Sequence, residues 1–437
     1  MEKAFKNLIK SDFPYLANAK LLIAVSGGLD SVVLVHLCKS AKMEFSIAHC
    51  NFNLRGEESD ADESFVLDLG DALDVEVFTE NFDTEAYAKD AKLSIQMAAR
   101  DLRYNWFNEL SAALNFDYIL TAHHANDNLE TFLINLIRGT GLDGLTGIRT
   151  ENEKIIRPLM KFSRKEIEAY AMKENIPWRE DSSNTSPKYL RNKIRLEVIP
   201  LLDEINPQLL EGFAQTQAYL NESLNLVEDY IGLLYSEIVS KDAYGYRLAI
   251  EILEKLPNSK AVLYQLLRSF GFTEWDDIYD LLKAQPGKMV FSATHRLIKD
   301  REFLLLTEIP SEKNNKVYKI EEGEDIVMLP IGTFAFEEVV EIQETGSHCI
   351  YVARDTLNYP LTLRKWKEGD IFHPFGMKGK KKISDFFKDK KLSLPEKENS
   401  WLLCSEDKIV WVINHRADAR FAIKEPSDKI IKITYAV

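Results

Sequence analysis

The stretch Ser26-Gly27-Gly28-Leu29-Asp30-Ser31 lies between an apolar run, 21–25, and an apolar helical pattern over 29–40. This composition suits anion binding. A helix N-terminus offers unpaired N–H groups and a partial positive charge, and a phosphate is well placed there. Gly27 and Gly28 have no Cβ, so backbone N–H groups can approach an anion closely. Ser26 and Ser31 add hydroxyl donors. Asp30 repels a phosphate unless it holds a Mg²⁺ or orients the turn. All six residues, Leu29 included, form a candidate nucleotide-binding loop; the plainer reading is a tight turn that caps a helix. A G-x-x-x-x-G-K-S/T loop would supply a Lys, and a dinucleotide fingerprint would read G-x-G-x-x-G; neither is present.

A second group lies at 121–130. Asp127 and Glu130 are about one turn apart at a predicted helix start and share a face. They suit binding of an ammonium group and acceptance of its proton. They also read as a capping box, with Asp127 as N-cap and Glu130 three residues on. His123 and His124 are candidate general bases or phosphate contacts, or structural histidines. Arg191 and Arg195, four apart, form a basic face that fits phosphates or surface ion pairs.

Strands predicted at 21–25, 45–50, 75–79, 117–122 and 155–159 alternate with helical patterns at 29–40, 58–73, 94–114 and 163–175. This is the signature of βαβ units and a parallel sheet. Ser163 and Glu166 mark a helix start. A long helical pattern over 207–240 reads as a linker. Residues 240–308 mix helices and strands, and 318–437 reads as a small β-rich domain. The predicted fold is α/β: an N-terminal parallel-sheet, Rossmann-like domain at 1–205, a helical linker with a mixed α+β middle domain at 206–310, and a β-rich domain at 311–437.

The chain has 437 residues, more than one core accommodates. No run of 18 apolar residues predicts a membrane span, and the charged N-terminus does not read as a signal peptide. Cys38, Cys50, Cys349 and Cys404 form no C-x-x-C pair and read as reduced cytoplasmic thiols. The formal net charge is −14, but it is segregated. Residues 57–90 hold thirteen acids and one Lys, 154–195 eleven bases and five acids, and 364–391 ten bases and four acids. A basic face for nucleic acid therefore remains open despite the acidic total.

The S-G-G-x-D-S turn resembles the loop of the PP-loop ATP pyrophosphatases. Three further stretches, "AHCNFNLRGEESDADE" (48–63), "TAHHANDNLETFLINLIRGTGLDGL" (121–145) and "IIRPLM" with "DSSNTSPKYLRNKIR" (155–160, 181–195), narrow the resemblance to the tRNA(Ile)-lysidine synthase family. "GDIFHPFGMKGKKKISDFF" (369–387) resembles its later domains. The resemblance implies ATP and Mg²⁺ as cofactors, with free L-lysine and an isoleucine tRNA bearing a CAU anticodon as substrates. The O2 of the first anticodon cytidine would be adenylated, and the lysine amine would attack carbon 2, releasing AMP. It makes Asp30, His123, Asp127, Glu130 and Arg191 the candidate catalytic residues, with Asp30 also the candidate metal ligand. In place of the family's usual Arg-rich segment stands "LPEKENSWLLC", which has no Arg. The alternatives are another PP-loop enzyme such as a tRNA thiolase, or a non-enzymatic RNA-binding protein. The missing C-x-x-C motifs argue against iron–sulfur thiolases.

Overall fold

Leu21, Leu22 and Ile23 are all fully buried. A strand is apolar on consecutive residues only when both its faces are covered. A computed structural model, which describes residues 1–180, 190–310, 316–343, 346–424 and 429–436, shows how. The chain divides into two units, Met1–Val227 and Glu228–Val437.

The first unit is built on a six-stranded sheet. Its strands are β1 (Leu21–Ala24), β2 (Phe45–Asn51), β3 (Val77–Asn81), β4 (Tyr118–Leu120), β5 (Glu151–Asn152) and β6 (Ile155–Ile156), in the order β3-β2-β1-β4-β6-β5. All neighbours run parallel except the β5–β6 hairpin. The helices are α1 (Glu2–Asp12), α2 (Leu29–Ser40), α3 (Glu57–Leu73), α4 (Thr84–Ala91), α5 (Ile95–Leu114), α6 (Ala125–Arg138), α7 (Leu142–Leu145) and α8 (Arg164–Lys173). Leu21 and Ile23 join the core beside Val32, Val35 and Ile167 on one face. Leu22 joins Phe107, Phe116 and Ile119 on the other. The expected parallel-sheet domain is thus observed. Strand order reverses between β1 and β4, and ligands of open α/β sheets bind beyond the carboxyl ends at such a point.

Beyond the sheet the chain forms α9 (Leu190–Lys193), a π-helical turn (Ile194–Val198), α10 (Ile199–Ile205) and α11 (Leu209–Ile238). Pro200 has no N–H to give the carbonyl four residues back, and the wider turn falls just before it. Leu129, Ile194, Ile199 and Phe213 form a separate core that clamps α6 to this segment.

In the second unit, a five-stranded antiparallel sheet and the helices Ile250–Lys255, Ser259–Leu267 and Trp275–Leu281 enclose one core. Sheets of five and four strands enclose another around Trp411 and Phe334. A third surrounds Phe372, Phe386 and Phe387. The expected mixed and β-rich regions are both present.

Three predicted strands shift. The one expected at 75–79 begins at Val77, because the N–H of Val75 closes the end of α3 on Gly70 O at 3.0 Å. The one expected at 117–122 shortens to Tyr118–Leu120. The one expected at 155–159 ends at Ile156; Arg157 N–H turns back to Thr150 O at 2.9 Å, and Pro158 has no N–H to donate.

Gly70 is buried in α3, and a Cβ there would lie 2.1 Å from Val77 Cγ2. Gly70→Ala therefore overpacks the helix–sheet contact and should cost about 1–3 kcal/mol. Thermal melting measures this, and an unchanged melting temperature would contradict it.

Candidate active site

The loop after β1 is anchored by Val25 N–H on Ala48 O at 2.9 Å. Gly27 has φ +86°, which disfavours any residue with a Cβ. Gly28 is the N-cap of α2. Ser31 Oγ donates to Gly28 O at 2.9 Å and accepts from Ser26 N–H at 3.2 Å; the two hydroxyl oxygens lie 3.3 Å apart. Both serines thus shape the turn. Leu29 sends its side chain into the core, 3% exposed, so only its backbone can serve a ligand.

His49 lies behind this loop, its Nδ1 2.9 Å from Val25 O. A carbonyl only accepts, so Nδ1 carries the hydrogen. Burial lowers the pKa of His49. Asn51 donates to Asp60 and Glu63, which commits it to α3.

Asp30, in the first turn of α2, forms a close ion pair with Arg164 at the start of α8. Its other oxygen is buried without a hydrogen bond, 3.7 Å from His124 Nε2. Burial raises the Asp30 pKa, against the pull of His124 and Arg164. An unsatisfied carboxylate oxygen beside a helix N-terminus is a site still lacking a partner.

Across the reversal point, α6 begins with a reciprocal cap. Asp127 N–H donates to His124 Nδ1 at 3.3 Å, and His124 N–H donates to Asp127 Oδ2 at 3.1 Å. The capping box therefore pairs His124 with Asp127, three residues earlier than the Asp127–Glu130 box expected from sequence. Burial would raise the Asp127 pKa, but the neighbouring His124 and the Arg191 guanidinium outweigh it and leave the group below its usual value. His123 bonds Thr121 Oγ1 at 3.0 Å. Burial, with Arg157, Arg191 and Arg100 adding and Asp127 opposing, pushes His123 down to about 4.

Glu130 is 1% exposed. Arg191 Nε reaches it at 2.7 Å and Arg195 Nε at 2.6 Å. Both guanidinium groups also reach Asp127 Oδ1, at 3.2 and 3.3 Å. The basic face expected at 191 and 195 is thus turned onto the acids expected to hold an ammonium group. Two carboxylates and two guanidinium groups form one neutral cluster. In this structure Glu130 has no open side for a cation.

Family models match three parts of the chain: a PP-loop domain over 1–202, a TilS substrate binding domain over 241–309 and a TilS substrate C-terminal domain over 361–433. The tRNA(Ile)-lysidine synthase of Parabacteroides distasonis is 42% identical over 420 residues, 95% of either chain. The chain belongs to the tRNA(Ile)-lysidine synthase family. The synthase of Bacteroides thetaiotaomicron is 39% identical and covers 97% of both chains. This lysidine synthase family member is accordingly an enzyme, and its PP-loop domain implies ATP use.

Sequence reasoning missed several residues at this candidate site. Arg164 falls within the helical pattern expected over 163–175, and nothing in that pattern points to Asp30. Asp62, on α3, holds Arg55 Nη2 at 2.8 Å and pairs closely with Arg179, whose N–H donates to Gly27 O at 3.0 Å. Arg157, buried at the end of β6, donates to Arg149 O at 2.8 Å and leaves its Nε unpaired. Arg55, Asp62 and Arg157 lie inside the motif stretches 48–63 and 155–160, which is their sequence signal; Arg164 and Arg179 carry only their charge. Asp181, Ser182 and Asn184, part of the motif run, lie outside the described residues.

Glu130→Gln removes the shared charge between two arginines. Breaking a buried pair costs roughly 3–5 kcal/mol. The guanidinium groups are 41% and 34% exposed, so solvent reduces this to about 2 kcal/mol. Thermal melting tests this; an unchanged melting temperature would show that the cluster does not hold α6.

The unfolded pKa of His123 is about 6.5, above its folded value. Between pH 6.5 and 4 the unfolded chain binds the extra proton, so stability falls as pH is lowered. The slope from this one group is at most about 1.4 kcal/mol per pH unit. His123→Gln should flatten that acid loss in melting curves across the window. A parallel wild-type curve would contradict the assignment.

Proposed function

We propose that the enzyme ligates lysine to carbon 2 of the first anticodon cytidine of an isoleucine tRNA with a CAU anticodon, through an adenylated cytidine, releasing AMP and pyrophosphate. The observation that carries this reading is the convergence, beyond the carboxyl ends of β1 and β4, of an anion-binding loop and a buried carboxylate cluster.

In this reading Ser26 to Ser31 hold the β- and γ-phosphates by backbone N–H groups and the α2 N-terminus while O2 attacks the α-phosphorus. Charge developing in that step is met by donors already in place. Arg164 and Arg179 flank the loop. No three side chains among the described residues form a metal cluster. Asp30, with its unsatisfied oxygen, fits a Mg²⁺ completed by the nucleotide's own phosphates, which would supply charge neutralisation there.

Asp127, below its usual pKa, is ionised at neutral pH and draws the lysine side-chain ammonium. For that amine to reach Glu130, one arginine must give up a carboxylate oxygen. Exchange of one cation for another keeps the cluster neutral, and the displaced guanidinium is freed for phosphate. His123, its pKa pushed down to about 4, is neutral at physiological pH and a weak base, which suits a hydrogen bond to substrate more than removal of the lysine proton.

The regions 206–310 and 311–437 bind the tRNA in this reading. Among the described residues no helix is long and apolar enough to cross a membrane, which suits a cytoplasmic enzyme.

The test supplies ATP, labelled lysine and purified tRNA. AMP, pyrophosphate and lysine-labelled tRNA are expected in equal amounts; ADP as the main product would overturn the reading. Asp30→Asn should abolish AMP release with the fold intact by circular dichroism. Asp127→Asn should raise the lysine KM at least tenfold, and a wild-type KM would reduce Asp127 to a helix cap.

A further inference from the structure

The stretch 369–387 contains four phenylalanines. Phe372, Phe386 and Phe387 are core, while Phe375 is 57% exposed. It sits at the tip of a hairpin formed by Ile371–Phe372 and Lys381–Lys382. Met377, two residues on, is 47% exposed. A single exposed apolar side chain is ordinary; the bracing of this one and the lysines on its loop set it apart.

The tip is braced from below. The fully buried Asp418 carboxylate accepts His373 N–H at 2.8 Å and is gripped by Arg420 at 2.7 Å. Ala419 N–H donates to His373 O at 2.7 Å, Phe375 N–H to Ala417 O at 2.9 Å and Met377 N–H to Pro374 O at 3.0 Å. Arg416 Nη1 donates to Phe375 O at 3.3 Å. The phenyl ring thus projects from a backbone that needs little further ordering to bind a partner.

The surroundings select that partner. Residues 371–384 contain four lysines, Lys378, Lys380, Lys381 and Lys382, and no acid. Lys378 and Lys380 are exposed next to the tip, and Lys381 pairs with Asp389. An exposed aromatic ring on a loop that carries exposed lysines matches a nucleobase flanked by phosphates, since every base offers a π-face and each phosphate a charge.

We propose that Phe375 is a stacking platform for a nucleobase of the tRNA; this rests on the tRNA-substrate reading above. The ring takes an unpaired base or the end of a base-paired stem, and the lysines hold the adjoining phosphates.

The experiment measures binding of the CAU isoleucine tRNA to the full chain across a salt titration. Phe375→Ala should weaken binding about 5- to 100-fold and leave the slope of log affinity against log salt unchanged, because no charge is lost. Lys378→Ala with Lys380→Ala should lower that slope. Phe375→Trp should keep wild-type affinity and lose indole emission when tRNA saturates it. If Phe375→Ala binds like the wild type, or Phe375→Trp shows no added quenching, the platform is wrong while the substrate reading stands. If the wild type itself fails to bind the tRNA, both fall.

Discussion

A carboxylate shut away from water must be met by partners, and Glu130 meets this requirement with two arginines from a segment more than sixty residues later. That constraint explains much of the first unit. It requires Arg191 and Arg195 to lie on α6, and the apolar cluster of Leu129, Ile194, Ile199 and Phe213 provides the clamp that puts them there. It keeps Asp127 between the same guanidinium groups and the His124 cap. The start of α6 is therefore fixed by polar bonds on one side and apolar packing on the other. Remove the charge on Glu130 and two cations lose their reason to be where they are.

The elements that were legible from sequence are those whose signal is local. The helix over 29–40 and the strand before it follow from apolar spacing and from the glycines between them. Ser163 and Glu166 announce α8 because a capping box is a four-residue pattern. The β5 edge was not legible: Glu151 and Asn152 are two polar residues with no alternation, paired only because the chain turns back at Glu153.

The site was legible in its residues and not in its bonds. Spacing put Asp127 and Glu130 on one face, as they are, and Arg191 and Arg195 on another, as they are. Nothing in a one-dimensional pattern says that the two faces meet, since that contact is made by tertiary packing. The same holds for Asp62, which joins Arg55 and Arg179 from opposite ends of the domain sequence. In the basic stretch near 380, the lysines were legible as a charged run. Which phenylalanine faces water depends on the Asp418 brace, more than thirty residues away.

The segregation of charge also has a direction in space. The acid-rich stretch 57–90 supplies α3, β3 and α4 on one edge of the six-stranded sheet, while the base-rich stretch 154–195 begins at β6 near the other. The β3 edge of the first unit is thus strongly negative, while the base-rich stretch does not stay at the opposite edge: Arg179 returns to pair with Asp62 on α3, and Arg164 with Asp30. A polyanion is repelled from the β3 edge before any contact forms. Ions of physiological strength confine this field to about 8 Å. The exclusion is therefore a short-range event, felt only in the last layers of water before an RNA touches the protein.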